Sequence, residues 1–145
     1  MKGYLLVRAA GKAYGLPVGR VLEVGDSTEV LAIPRKLAAV RGLTPLRGRL
    51  VPLIHLGALL TGSEAPPPAA TGASGATRTV VLVEIGPSHK HVAFEVDDAD
   101  AVVREDPLPV PRGQMLPWAA GVAEQDGGES LVPILDLDAL GDRIA

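Results

Sequence analysis

An all-β fold built from two related halves is what this sequence predicts, and three observations carry it. First, Leu50-Val51-Pro52-Leu53-Ile54-His55-Leu56-Gly57-Ala58-Leu59 returns as Leu131-Val132-Pro133-Ile134-Leu135-Asp136-Leu137-Asp138-Ala139-Leu140, with six of ten positions identical. Upstream, Arg41-Gly42-Leu43 is echoed by Ala120-Gly121-Val122, two residues further off in the second copy. Second, 17 Gly and 13 Pro punctuate the 145 residues, which favours short strands and turns over long helices. Third, strand-like runs follow one another without strand–helix alternation, which points to barrels or a sandwich rather than a parallel sheet. One repetition at roughly eighty residues is too long and too few for a solenoid.

Element by element, Gly3 to Arg8 reads as a strand, and Gly11-Lys12 turns it into Ala13 to Leu16. Arg20 to Val24 reads as a short helical turn leading into a strand, and Glu29 to Ile33 as a short strand ended by Pro34. Lys36 to Val40 is a one-turn helix or an extended connection. Leu50 to Ile54 has the length and apolarity of a strand. Pro52 within it predicts an edge position or a bulge, because proline has no N–H for a ladder. Leu56 to Leu60 reads as a short helix. Residues 61–78 are small residues, Pro and Gly with nothing to bury, so a flexible loop is expected there, between a first half at 1–60 and a second at 79–145. Thr79 to Ile85 is a β-branched run typical of a strand buried on both faces. Gly86-Pro87-Ser88 turns it into His89 to Val96, and Ala99 to Arg104 follows the acidic turn Asp97-Asp98. Leu108 to Leu116 is a proline-broken connector. Gly121 to Gln125 and Ser130 to Leu135 form a hairpin across Asp126-Gly127-Gly128. Asp136 caps a last helix, Leu137 to Ile144, where its carboxylate accepts from free N–H groups. The sum is nine or ten short strands with two or three short helices.

Composition narrows the function. Apolar residues make up 47% of the chain but only Tyr4, Tyr14, Phe94 and Trp118 are aromatic, so Val, Leu, Ile and Ala must build the core. A chain without cysteine has no disulfide and no thiolate metal site. The first apolar run, Tyr4 to Val7, is too short for a signal peptide, and no window approaches the ~18 apolar residues of a membrane span. A soluble protein of the reducing cytoplasm, with no direct membrane insertion, is expected. The net charge of −3 conceals nine basic and three acidic residues in 1–60 against five and fourteen in 61–145. Such an asymmetry suits oppositely charged faces for protein partners, or two halves that attract each other.

No constellation of nucleophile and base appears, nor a Gly-x-Ser-x-Gly elbow or a phosphate loop, so no enzyme is expected. His89 and His91, two apart on a predicted strand, would face one side and suit a metal, but a solvated turn accounts for them better, and no metal or other cofactor is expected. Asp97-Asp98-Ala99-Asp100 lacks the frame of a calcium loop. Arg47 is different. Leu46-Arg47-Gly48 forms a turn in which Gly48 supplies a positive φ, and an arginine projected from a tight turn suits bidentate bonds to a carboxylate or to backbone carbonyls.

The run Tyr14-Gly15-Leu16-Pro17-Val18, Val21-Leu22-Glu23-Val24, then Val40-Arg41-Gly42-Leu43 and Leu46-Arg47-Gly48-Arg49-Leu50-Val51-Pro52-Leu53-Ile54-His55-Leu56 resembles the CheW family of chemotaxis coupling proteins. Val80-Val81-Leu82-Val83, Val92-Ala93-Phe94-Glu95-Val96-Asp97, Ala120-Gly121-Val122 and Leu131 to Leu137 continue the resemblance in the family's order. Pro45 replaces the family's Asn before Leu-Arg-Gly, His55 stands where an Asp would cap the following helix, and Ala93 stands for a Gly. The resemblance implies a single CheW-like domain over 1–145, of two intertwined five-stranded SH3-like β-barrels with a few short helices and strands possibly exchanged between halves. It implies a non-catalytic adaptor that couples a CheA-type histidine kinase to the cytoplasmic tip of a chemoreceptor (a methyl-accepting chemotaxis protein). Val21, Glu23, Gly42, Arg47, Val80 and Val102 match the family's partner-contact positions. A coupler in a CheA-like pathway for pilus-based surface motility would look alike. From another class, a small β-barrel binding nucleic acid through Arg41, Arg47 and Arg49 is the alternative, disfavoured by the acidic pI and the scarcity of stacking aromatics.

Overall fold

In the computed structural model, described over residues 3–27, 30–31, 39–62, 78–104, 119–125 and 130–144, ten strands form two five-stranded sheets. In chain order they are β1 (Tyr4–Ala9), β2 (Lys12–Pro17), a 3₁₀ turn (Val18–Arg20), β3 (Val21–Ser27), β4 (Val40–Leu46), β5 (Arg49–His55) and α1 (Leu56–Thr61). Then come β6 (Arg78–Ile85), β7 (Lys90–Val96), β8 (Asp98–Val103), β9 (Ala119–Gln125), β10 (Ser130–Leu135) and α2 (Leu137–Ile144). Leu31 adds a single bridge to Leu43. The readings placed on 32–38, on most of the 61–78 segment, on Leu108 to Leu116 and on the Asp126-Gly127-Gly128 turn lie outside the described residues. No helix among the described residues is long and apolar enough to cross a membrane.

The strand orders are β8-β1-β2-β10-β9 and β3-β6-β7-β5-β4. Each sheet therefore joins the leading hairpin of one half to three strands of the other. β1–β2 is completed by β8, β9 and β10, and β6–β7 by β3, β4 and β5. The joints are equivalent: β5 runs parallel to β7 from Leu53↔Ala93, and β10 runs parallel to β2 at Ile134↔Gly15. Leu53 and Ile134 are aligned positions of the sequence repeat. A small residue faces each of them. A Cβ on Gly15 would come within 2.3 Å of Ile134 Cδ1, so the glycine leaves the room that the isoleucine fills.

Pro52 does not lie on an edge strand, since β5 is flanked by β4 and β7. The ladder to β7 covers only Leu53 to His55, so the proline falls where β5 is paired on the β4 side alone. Pro133 repeats this arrangement in β10, one residue before the Ile134 pairing. An interior strand tolerates proline because its second ladder is short.

Burial follows the pleat on both faces. Val80 and Leu82 join Val51, Leu53 and Ala93 in one cluster, while their neighbours Val81, Val83 and Ile85 join Phe94, Leu16, Leu56 and Leu140 in the largest one. Tyr4, Val132, Ile134 and Ala123 form a third on the other sheet. Successive strand residues point to opposite faces, so the run Val80 to Val83 in the middle of β6 must be apolar at every position to serve two cores.

Two hairpins turn on two residues with both φ positive, Ala10-Gly11 (52°, 75°) and Arg47-Gly48 (53°, 73°). These are the mirror-image turns whose twist matches the strands, and they ordinarily favour Asn-Gly or Gly-Gly. The two helices are capped differently. Asp136 Oδ1 accepts from the N–H groups of Asp138 and Ala139, each at 3.1 Å. At α1 the cap is His55, whose Nδ1 accepts from the Ala58 N–H at 3.0 Å. The histidine thus takes over the cap that an aspartate would supply. Only a ring with an unprotonated Nδ1 accepts this bond.

Burial holds the His55 pKa below its ordinary value of about 6.5, with Arg41 acting in the same direction and Glu95 and Asp97 opposing it. A depressed folded-state pKa contributes stability that is whole above the unfolded value and is lost as pH falls through the folded one. The thermal midpoint should therefore hold from pH 8 to about 6.5 and fall below it. A His55→Asn variant, whose amide oxygen caps at every pH, should lose less over the same range. Parallel melting curves for the two proteins would overturn the assignment.

Candidate protein-docking site

Arg47 stands at the tip of the β4–β5 hairpin in the left-handed region, a conformation costly for a side chain without a local hydrogen bond to its own backbone. Its guanidinium reaches the opposite edge of the sheet. Nε lies 3.3 Å from Glu23 Oε1, and Nη2 donates to the Leu22 carbonyl at 3.2 Å, both on β3. β3 and β4 are the two edges of the five-strand order, so this contact brings the edges together and the sheet curls on itself. More than half of the Arg47 side chain remains exposed, and about a third of the Glu23 side chain. The result is a charged pair displayed on a closed edge, beside exposed Val24.

The other expected contact residues separate into different roles. Val21 opens β3 and packs, half-buried, against the largest core cluster. Gly42 is buried at a β4 irregularity, at φ 152°, and a Cβ there would meet the Leu31 carbonyl oxygen at 2.3 Å. Val80 is 1% exposed and belongs to the interior of the sheet, so it offers no surface. Val102 is 45% exposed, but on β8, the edge of the other sheet. The structure therefore brings Glu23 and Arg47 together, turns Val21 to the opposite face of β3, where it packs on the core with Val83, keeps Gly42 and Val80 buried, and leaves Val102 on the other sheet.

The family model of the CheW-like domain matches residues 3–145. The chain belongs to that family. Among solved structures, the crystal structure of the scaffolding protein TtCheW from Thermoanaerobacter tengcongensis is similar in fold, with a TM-score of 0.75 at 23% identity over 96% of this chain and 91% of that one. No curated protein matches the sequence.

Within this CheW-like domain, two groups of residues matter whose long-range pairing the sequence did not disclose. Arg41 on β4 reaches across β5 to Glu95 on β7, with Nη2 at 3.1 Å from Oε2 and Nε on Oε1, and His55 Nε2 lies 3.9 Å from the same carboxylate. Both side chains of the pair are largely buried. This corrects the nucleic-acid alternative: Arg41 is committed to a buried carboxylate and Arg47 to β3, so the three arginines do not form a phosphate-binding row. Arg20 is the second. Its guanidinium donates to the Gly86 carbonyl at 3.2 Å and to Asp138 Oδ1 at 2.9 Å, holding the 3₁₀ turn, the β6–β7 turn and α2 together. An i-to-j separation above sixty residues leaves no trace in local pattern. His89 lies in the β6–β7 turn at φ 54° and pairs with Glu84, Nδ1 to Oε2 2.6 Å, so it does not share a strand face with His91. No group of three or more His, Asp or Glu among the described residues converges on a metal-sized site.

Two stability measurements test these roles. Gly42→Ala should lower unfolding free energy by about 1–3 kcal/mol, through backbone strain and the clash with Leu31; an unchanged urea midpoint would contradict the close approach. Arg47→Asn removes an exposed pair of about 0–1 kcal/mol but supplies the residue that the turn prefers. Its thermal midpoint should not fall.

Proposed function

We propose that the protein is a non-catalytic signalling scaffold of the cytoplasm that couples a CheA-type histidine kinase to the cytoplasmic tip of chemoreceptors. Family membership over residues 3–145 supports this reading, and so does the likeness in fold to a protein described as a scaffold. The observation that carries it to particular residues is Arg47. A turn whose geometry favours Asn-Gly keeps an arginine at its left-handed position, and that arginine is mostly solvent-facing. Ala10 holds the same conformation in the β1–β2 turn, so it is the long cation kept exposed at this position beside Glu23 that supports a use for the side chain. In this reading Arg47 and Glu23 form one docking face, half-buried Val21 borders it from the other side of β3, and Val102 on β8 belongs to a second on the other sheet. Gly42 and Val80 act through the backbone and core that hold the first face in shape.

Such a scaffold has no turnover; it contributes binding free energy and fixes geometry. Each interface need only be modest, since tethering several partners raises effective concentration without new contacts. To transmit a signal, the protein must bind two kinase arrangements unequally, because equal affinity shifts no equilibrium.

The test is a reconstituted assay of receptor-controlled kinase activity. Arg47→Asn should fold as stably as the parent and lose receptor control. The charge-swapped pair Arg47→Glu with Glu23→Arg should restore the bridge between strands yet leave control lost, because the partner then meets inverted charges. Full control with Arg47→Asn would remove the docking role, and rescue by the swap would reduce Arg47 to a clasp between edges.

A further inference from the structure

The sheet containing β5 and β7 is open at one end. The β5–β7 ladder starts only at Leu53↔Ala93, although β5 begins at Arg49 and β7 at Lys90. Upstream of that register the two strands part, and a groove of about 820 Å³ lies between the start of β5, the β6–β7 turn and α2. Its back wall is fixed. A Cβ on Gly141 of α2 would come within 2.8 Å of Gly86 Cα, Gly86 N donates to the Leu137 carbonyl at 3.1 Å, and Arg20 holds the same turn from the other side.

The groove's chemistry is one-sided. Arg49 and Lys90 lie on its two strand walls, with His89 and His91 flanking Lys90, and none of its described lining residues is acidic. The protein as a whole carries 17 acidic and 14 basic residues, so this concentration of cations runs against its net charge. Glu84 engages His89, which leaves Arg49 and Lys90 as the permanent charges facing the opening. Between them the surface is apolar: Val51, Pro52, Ile85 and Val92 line it, and Leu50 stands 56% exposed at its mouth.

We propose that this groove docks an acidic, extended peptide segment of a partner protein, seated where the two strands part, with carboxylates on Arg49 and Lys90 and apolar side chains between. Arginine's fork suits a carboxylate bidentately, and lysine supplies a point charge on the facing wall. An extended segment matches a slot bounded by two strands, as in recognition by strand addition. Two cations on opposite walls around an apolar floor do not track the regular phosphates of a nucleic acid. The surface is separate in action from the Arg47 face, because Arg47 turns to β3 while Arg49 lines the groove.

The probe is a fluorescein-labelled synthetic decapeptide of alternating Glu and Leu, titrated with the intact protein and followed by anisotropy. A lysine-for-glutamate version and a thymidine oligonucleotide serve as the other occupants. Saturable binding of the acidic peptide is expected, weakening about tenfold or more in Arg49→Glu/Lys90→Glu and when salt rises from 50 to 300 mM. The milder Arg49→Gln/Lys90→Gln should weaken it too, with the far-ultraviolet circular dichroism of each variant confirming the fold, while Arg47→Asn should leave it unchanged. Equal binding of the lysine peptide, preference for the oligonucleotide, no saturation, or indifference to Arg49 and Lys90 would each overturn the proposal. Failure here would leave the scaffold reading intact, since that reading is decided at Arg47.

Discussion

The fold depends on two short parallel joints, β5 with β7 and β10 with β2, because these alone attach each leading hairpin to the β4–β5 or β9–β10 module of the opposite half. A hairpin taken by itself is marginal, and neither half has a complete sheet of its own. At the first joint the main-chain pairing is reinforced by side chains. Arg41 reaches over β5 to Glu95, so one ion pair spans three strands and passes beside His55, which in turn caps α1. Largely buried and paired twice, it is of the kind in which loss of one partner is far more costly than formation is favourable. The joint, the helix cap and the sheet edge that carries Arg41 are thereby one connected unit.

Exchange of hairpins explains why the core is so evenly aliphatic. β6 and β7 have one face toward the interior of their own sheet and the other toward the layer shared with the second sheet. The central positions, Val80 to Val83 and Val92 to Phe94, must then be apolar and of a size set by two neighbours at once. Val, Leu, Ile and Ala satisfy this in a pleated strand, whereas a large aromatic fits in few places; Phe94 and Tyr4, both fully buried, take two of them. The small residues under the joints follow from the same limit. Ala93 faces Leu53 and Gly15 faces Ile134, so the substitution of Ala for Gly at one joint is matched by a leucine where the other has isoleucine.

What the sequence disclosed, and what it withheld, divides along these lines. Strand positions, the β-rich class, the repeat and the Asp136 cap were legible because alternation, turn residues and a short side-chain acceptor are local signals. The place of Pro52 was misjudged because a proline reports only that one N–H is absent, not that the second ladder of an interior strand is three residues long. His55 read as a lost cap, since a histidine accepts only through one nitrogen in one protonation state, and its burial against Glu95 and Arg41 is a tertiary fact. Val80 matched a contact position by its place in the pattern, yet two-sided burial removes it from the surface. Arg47 was legible as a turn arginine; its engagement with Glu23 and the Leu22 carbonyl required the curl of the sheet.

The two copies of the repeat show how one module leaves a basic groove open in one place and not in the other. In each, a strand with proline runs beside the exchanged hairpin, pairs with it over a short register and passes into a capped helix. In the first copy β5 begins four residues before its parallel pairing, and the hairpin beside it ends in a four-residue turn carrying His89 and followed by Lys90, so the strands part into a basic opening. In the second, the equivalent hairpin closes on Ala10-Gly11, a two-residue turn with no side chain to offer. The backbone plan is common to both; turn length and charge decide which end of it remains open to a partner. Arg47 follows the same logic from the other side of the β4–β5 hairpin, where a strained turn position is occupied by a long cation and the neighbouring edge is closed by it. The charged groups left exposed in this chain therefore gather at the turns, on strands whose central positions are taken up by packing.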